Sequence, residues 1–326
     1  MKVATVTLGL IAMAIAPVMH AETRGARATT TTPTSFRVQV VGKGRPMILI
    51  PGLMSSGETW NSTVARYQDR FECHVLTLAG FAGVPPLSPS SPNGAAGTPL
   101  LATVRAELAD YIRTRRLDRP VIVGHSLGGT LALALAADHP DLTGPLVIVD
   151  SLPFLAGAQL QAKTLDDAKP GIAAMRAYMS SQSPEQFQAY VKAGAATEFM
   201  VKGAADHDVI KQWGLTSDQR TAADAMADLM SIDVRADLTK ITAPTLVLGT
   251  WIGLHEQLKK YGTALSRADV VRTFDEQFAR LPRLHFALTD TARHFIMFDD
   301  PQWFFAELDP FLKDADAVVR TRGFGK

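Results

Sequence analysis

Ser126 stands in Gly124-His125-Ser126-Leu127-Gly128-Gly129, directly after the apolar run Pro120-Val-Ile-Val123 and directly before the alanine-leucine stretch ending at Ala137. A serine hydroxyl attacks a carbonyl only where the fold exposes it beside a base and an anion-stabilising pocket. A sharp turn from a buried strand into a helix exposes it, and that turn needs small residues two positions to either side. Gly124 and Gly128 fill those positions. The competing reading is a serine that caps a helix N-terminus, but the apolar strand before it and the buried helix after it favour the nucleophile. His125, adjacent in sequence, reads as packing.

The surrounding elements follow from the pattern of apolar residues. Phe36–Val41 alternates as an edge strand does, whereas Pro46–Ile50, Cys73–Leu78, Leu146–Val149 and Ala243–Gly249 are runs suited to a buried parallel sheet. Helical patterns separate them at Glu58–Tyr67, Leu100–Arg116 and Gly129–Ala137, and Gly80–Pro99 reads as loop. A last strand is expected at Leu284–Leu288, with a terminal helix opened by Asp300-Pro301. Strands alternating with helices predict an α/β fold with a doubly wound, mostly parallel sheet. Strand signals vanish over 151–240, where alanine- and methionine-bearing helices predict a cap inserted into a core of 36–150 and 241–326. Phe154, Phe187, Phe199 and the cap methionines either line an apolar pocket or form the cap's own core; their helical spacing favours the core.

The chain has 326 residues, 47% of them hydrophobic, and a formal net charge of +1. It carries no electrostatic case for nucleic acid or an acidic membrane surface. Residues 1–21 read as a signal peptide and 22–35 as a disordered lead-in, which implies a periplasmic or secreted protein without integral membrane insertion; a retained N-terminal anchor is the rival. The lone Cys73 has no intramolecular partner and is expected buried on a strand. No metal cluster, phosphate loop or dinucleotide fingerprint is legible, so no cofactor is implied and the expected partner is a small-molecule substrate.

The strand, the glycine-flanked serine and the helix together resemble the nucleophile elbow of the α/β-hydrolase superfamily. The resemblance implies a histidine base in a loop after the last strand, before a proline-initiated helix. His294, in Thr291-Ala-Arg-His-Phe-Ile-Met-Phe-Asp-Asp-Pro301, occupies that place, while the other seven histidines sit in strand, helix, cap or export patterns. In much of the superfamily the acid follows the strand corresponding to Thr245–Gly249. Here Thr250-Trp-Ile-Gly-Leu-His-Glu256 holds no aspartate. Some members place the acid one strand earlier, which selects Asp150, with Glu256 as runner-up and turn capping as Asp150's alternative role. Asp299 and Asp300 read as caps of the last helix. The order Ser126, Asp150, His294 agrees with the family order.

Two backbone N–H groups are needed for the oxyanion. Leu127, after the nucleophile, supplies one. The loop Pro51-Gly-Leu-Met-Ser-Ser-Gly57 resembles the family's His-Gly-x segment, with Pro51 in place of histidine, and Leu53 is the expected second donor, or Met54 if the turn runs one residue later. The resulting expectation is a serine hydrolase cleaving a carboxylic ester of modest, largely apolar character. The same triad also serves carbon–carbon bond hydrolases, amidases and lactonases, thioesterases, acyltransferases and perhydrolases. A binding protein that lost catalysis is the remaining reading. The serine argues against the related dehalogenases and epoxide hydrolases, which use a carboxylate at the elbow.

Overall fold

The alternating and the continuous apolar segments end up in one sheet, but at different places in it. The computed structural model describes residues 33–87, 99–194, 197–260, 262 and 265–323. The first half of the chain supplies β1 (Phe36–Gly42), β2 (Arg45–Ile50), α1 (Asn61–Tyr67), β3 (Phe71–Leu78), α2 (Leu100–Thr114), β4 (Val121–His125), α3 (Leu127–Asp138) and β5 (Leu146–Val149). Five helices follow without a strand: α4 (Leu155–Gln159), α5 (Leu165–Ser181), α6 (Pro184–Ala193), α7 (Ala204–Leu215) and α8 (Gln219–Met230). The chain then returns through β6 (Thr245–Thr250), α9 (Ile252–Lys260), α10 (Arg267–Phe278), β7 (Leu284–Thr289), α11 (Ile296–Asp299) and α12 (Pro301–Gly323).

The seven strands lie in the order β1-β3-β2-β4-β5-β6-β7. All neighbours are parallel except β1, which runs antiparallel to β3 at the edge with Phe36 opposite Leu78. The alternating strand therefore sits where one face meets water, and the continuous ones sit inside, covered on both faces. Side chains leave a strand to opposite sides in turn. Ile48, Ile50, Ile122 and Ile148 accordingly pack with α2 and α3 on one face. Met47, Leu49, Val121, Val123, Val147 and Val149 pack with Trp60, Tyr67, Phe304 and Leu308 on the other. Cys73 is buried on β3, where burial pushes its thiol up to about 11. Among the described residues no helix is long and apolar enough to cross a membrane.

The five consecutive helices occupy the stretch in which the sequence shows no strand signal. Their root is pinned by the buried Gln277 of α10, whose amide accepts from Phe154 N–H at 3.2 Å and donates to Phe154 carbonyl at 3.1 Å. Phe154 is fully buried with Ile172 and Met230, and Met175 and Met226 pack against that cluster, so these side chains form core rather than pocket lining. The α7–α8 turn is stitched to the loop after β3: Gly83 N–H donates to Thr216 carbonyl at 2.9 Å, and Asp218 N–H to Gly80 carbonyl at 2.7 Å.

The lead-in departs from expectation at its end. Thr34 and Ser35, expected to be disordered, are ordered because the Glu107 carboxylate on α2 accepts from both backbone N–H groups and both hydroxyls, at 2.7 to 2.9 Å. Those bonds, and Ser35's complete burial, hold the chain against the core before β1 begins. The expected signal peptide, residues 1–21, and residues 22–32 lie outside the described residues, as does 88–98 of the expected loop.

The turn from β4 into α3 brings backbone into close contact at both glycines that flank Ser126. A Cβ on Gly124 would lie 2.2 Å from the Gly128 carbonyl oxygen, and one on Gly128 would lie 2.4 Å from the Ile50 carbonyl oxygen. Both obstacles are backbone and cannot swing aside. Gly124→Ala is expected to cost about 3 kcal/mol or more by overpacking, read as a lowered urea midpoint. Gly83→Ala is the control: its φ is +78° but nothing lies within 4 Å, and the backbone term alone is about 1–2 kcal/mol.

Candidate active site

Ser126 sits at the crossing with φ 53° and ψ −120°, a conformation that costs a non-glycine residue about 1–3 kcal/mol. The turn is held by Ser126 N–H donating to Val149 carbonyl on the neighbouring strand at 2.9 Å. His125 before it and Leu127 after it are buried, while Ser126 itself is partly exposed. The strain thus lifts one hydroxyl out of an otherwise closed crossing.

Asp150 follows β5, the adjacent strand. It too has positive φ, 43°, and its N–H donates to Leu248 carbonyl at 2.7 Å. One carboxylate oxygen accepts from Thr250 N–H at 3.3 Å and the other lies 2.6 Å from His294 Nδ1. Because a carboxylate only accepts, Nδ1 carries the proton and Nε2 is left as the ring's basic nitrogen when the imidazole is neutral. The structure therefore brings Asp150 and His294 together. Glu256, the other candidate acid, is turned to Arg293, 2.7 Å from Nη2. Ser126 Oγ and His294 Nε2 make no hydrogen bond to other described residues, a looseness common in substrate-free sites, where the contact tightens on binding.

The loop after β2 lies against the nucleophile. A Cβ on Gly52 would stand 3.3 Å from Ser126 Cβ and 3.1 Å from His125 Nδ1, a tight contact that places this loop beside the serine. Ser55 N–H closes a tight turn onto Gly52 carbonyl at 3.3 Å, with Met54 at φ 55° as its third residue. Such a turn leaves its central amides unused. The N–H groups of Leu53, Met54 and Leu127 donate to no described group, so this geometry admits both the expected Leu53 and its alternative Met54 beside Leu127.

His125 does more than pack. Its ring lies 4.5 Å from both the His294 and Phe295 rings, and its Nε2 is 3.0 Å from the His294 carbonyl oxygen. A carbonyl only accepts, so Nε2 carries the proton and the ring fixes the backbone of His294. Complete burial, and then the neighbouring His294, push its pKa well below the ordinary histidine value. The missed signal was a polar ring inside a buried strand, which must find a partner. Thr250 was also missed; beside its N–H on Asp150, its hydroxyl donates to Ala292 carbonyl. Asp300 caps α12 as expected, accepting from Trp303 N–H at 2.9 Å. Asp299 does not cap it: its two oxygens accept from Lys202 N–H at 2.7 Å and Arg293 N–H at 2.8 Å, since it lies at the end of α11 facing the cap. Among the described residues no group of three or more His, Cys, Asp or Glu side chains is placed to hold a metal ion.

With this geometry in view, the alpha/beta hydrolase family model matches residues 47–307. The chain belongs to the alpha/beta hydrolase family. It is 25% identical over 282 residues to an N-formylmaleamate deformylase of Pseudomonas putida, covering 83% of this chain and 90% of that one. It is 27% identical over 221 residues to a pimeloyl-[acyl-carrier protein] methyl ester esterase of Vibrio vulnificus, covering 66% and 78%. The enol-lactonase of Burkholderia xenovorans superposes with a TM-score of 0.64 at 15% identity, covering 85% of this chain and 96% of that one, a likeness of fold alone. This alpha/beta hydrolase is thus an enzyme whose reaction class is hydrolysis.

The buried neutral His125 has a consequence for pH. The unfolded chain takes up a proton on this residue near pH 6.5, while the folded chain resists it. Proton uptake then favours unfolding, so this part of the stability is present above pH 6.5 and is lost as pH falls. His125→Gln keeps an N–H donor but no titratable ring. Below pH 6.5 the wild type is expected to lose stability more steeply than the variant, by up to about 1.4 kcal/mol per pH unit, measured by urea unfolding across pH.

Proposed function

We propose that this hydrolase cleaves a carboxylic ester through an acyl-enzyme on Ser126, with His294 as base and Asp150 as its partner. The observation that carries this reading is the 2.6 Å contact of His294 Nδ1 with the carboxylate at the end of β5, one strand from a serine held at positive φ. Ser126 Oγ attacks the carbonyl carbon and its proton passes to His294 Nε2. Asp150 stabilises the resulting imidazolium and fixes the tautomer. The developing oxyanion is met by the N–H of Leu127 and that of Leu53. Collapse expels the alcohol, which takes the proton from Nε2. Water then gives its proton to the same nitrogen and attacks the acyl carbon; collapse breaks the bond to Ser126 Oγ, which takes the proton back from Nε2 as the acid leaves.

The relative named as a methyl ester esterase supports the ester reading. Those named as a deformylase and a putative carbamate hydrolase favour a second one, a carbon–nitrogen substrate attacked by the same serine. An apolar acyl or alcohol group of modest size is supported by Met54: its Cε lies 3.3 Å from where a Gly214 Cβ would stand on α7, so the cap meets the donor loop through apolar atoms. On sequence grounds alone, residues 1–21 support export to the periplasm or medium.

A fluorophosphonate probe is expected to label Ser126 in the wild type and nothing in Ser126→Ala. Asp150→Asn is expected to keep the fold and lose about 10⁴-fold in kcat, whereas Glu256→Gln stays within a few-fold. Comparing p-nitrophenyl esters of increasing acyl length with matched anilides checks the bond and the pocket together. Preference for anilides contradicts the ester reading, and preference for short charged esters contradicts the apolar pocket.

A further inference from the structure

His294 is held from the cap side as well as from the core. Arg293, the residue before it, donates from Nη1 to the carbonyls of Glu198 and Val201, each at 2.8 Å, and its Nη2 faces Glu256 at 2.7 Å. Phe295, the residue after it, donates its N–H to Met200 carbonyl at 3.0 Å. Lys202 completes the seam, with its N–H on Asp299 and its Nζ on Thr291 carbonyl. Residues 198–202, which lead into α7, therefore grip the histidine loop on both sides of the ring. The guanidinium is mostly buried, its side chain retaining 20% of its exposure, and faces two carbonyl oxygens and one carboxylate.

We infer that Arg293 is a positioning residue for the base: it fastens the cap backbone at Glu198 and Val201 to the loop that carries His294, so that the base is in register with Ser126 only while the cap is seated. The inference rests on the triad proposed above. The planar guanidinium is the side chain suited to this task, because one fork spans acceptors that diverge, whereas an ammonium is a single point charge. Glu256 neutralises that fork from the α9 side, which gives the runner-up acid a use other than catalysis. Misplacing a catalytic group by about 1 Å costs up to about a hundredfold in rate. A loss of this kind lowers kcat and kcat/KM together, whereas a loss of substrate contact raises KM.

The test measures kcat, KM and the second-order rate of fluorophosphonate labelling for Arg293→Ala and Arg293→Lys, at a temperature where each is fully folded by circular dichroism. The expected result for Arg293→Ala is at least a tenfold loss in kcat and in labelling rate, with KM within threefold. Arg293→Lys is expected to recover less than half of the lost rate, since charge alone does not replace the fork. A smaller loss in kcat, a change confined to KM or thermal stability, or full recovery by lysine overturns the inference. If Arg293→Ala does not fold, Arg293→Lys alone decides on the same tenfold threshold. Ser126→Ala is run alongside: retained activity there overturns the triad itself, whereas loss there with an active Arg293→Ala overturns only the positioning role.

Discussion

Three stretches of backbone converge at the top of β4, and their closeness is the constraint from which the rest of the site follows. Gly124 lies under the Gly128 carbonyl, Gly128 lies under the Ile50 carbonyl, and Gly52 lies against Ser126 and His125. No side chain fits at Gly124 or Gly128, and little room is left at Gly52. The chain can pass from strand to helix there only by taking Ser126 into a strained conformation, and the same crossing brings the loop after β2 to the hydroxyl. The exposed serine and the loop beside it are thus two results of one steric fact.

Electrostatics then acts on a frame already fixed by sterics. Asp150 is aimed by its own positive φ and by the N–H of Thr250, and it reaches a ring whose backbone is held by His125 from below and by the cap from above. An imidazole supported in this way needs little reorganisation when it takes up a proton. The arrangement also separates the two adjacent imidazoles by role. His125 is sealed and resists protonation, so it serves as a donor to a carbonyl, while His294 keeps partial contact with solvent.

Much of this was legible in the sequence where local chemistry leaves few choices. The unbroken apolar runs gave buried parallel strands, the alternating Phe36–Val41 gave the edge, and glycine spacing gave the elbow. Asp150 was reached through the family resemblance, since Thr250-Trp-Ile-Gly-Leu-His-Glu256 lacks an aspartate and some members place the acid one strand earlier, where Asp150 stands. What the sequence could not show depends on contacts between distant segments. His125 looked like packing because its acceptor lies 169 residues away. Asp299 looked like a helix cap because one of its real partners, Lys202, lies 97 residues away. Thr34 and Ser35 looked loose because Glu107 lies more than 70 residues away, on a helix that follows three strands.

The position of Asp150 before the five helices rather than after them has a topological consequence. β4, α3 and β5 form one contiguous β-α-β unit that contains both Ser126 and Asp150, whereas His294 joins it from 144 residues beyond Asp150. An acid placed after β6 would enclose the whole helical insertion within the loop that closes serine onto acid, and closing a longer loop costs more entropy. Here the insertion lies outside that loop. Its length and composition can change without altering the spacing of Ser126 and Asp150, and only the loop that carries His294 must keep pace with it.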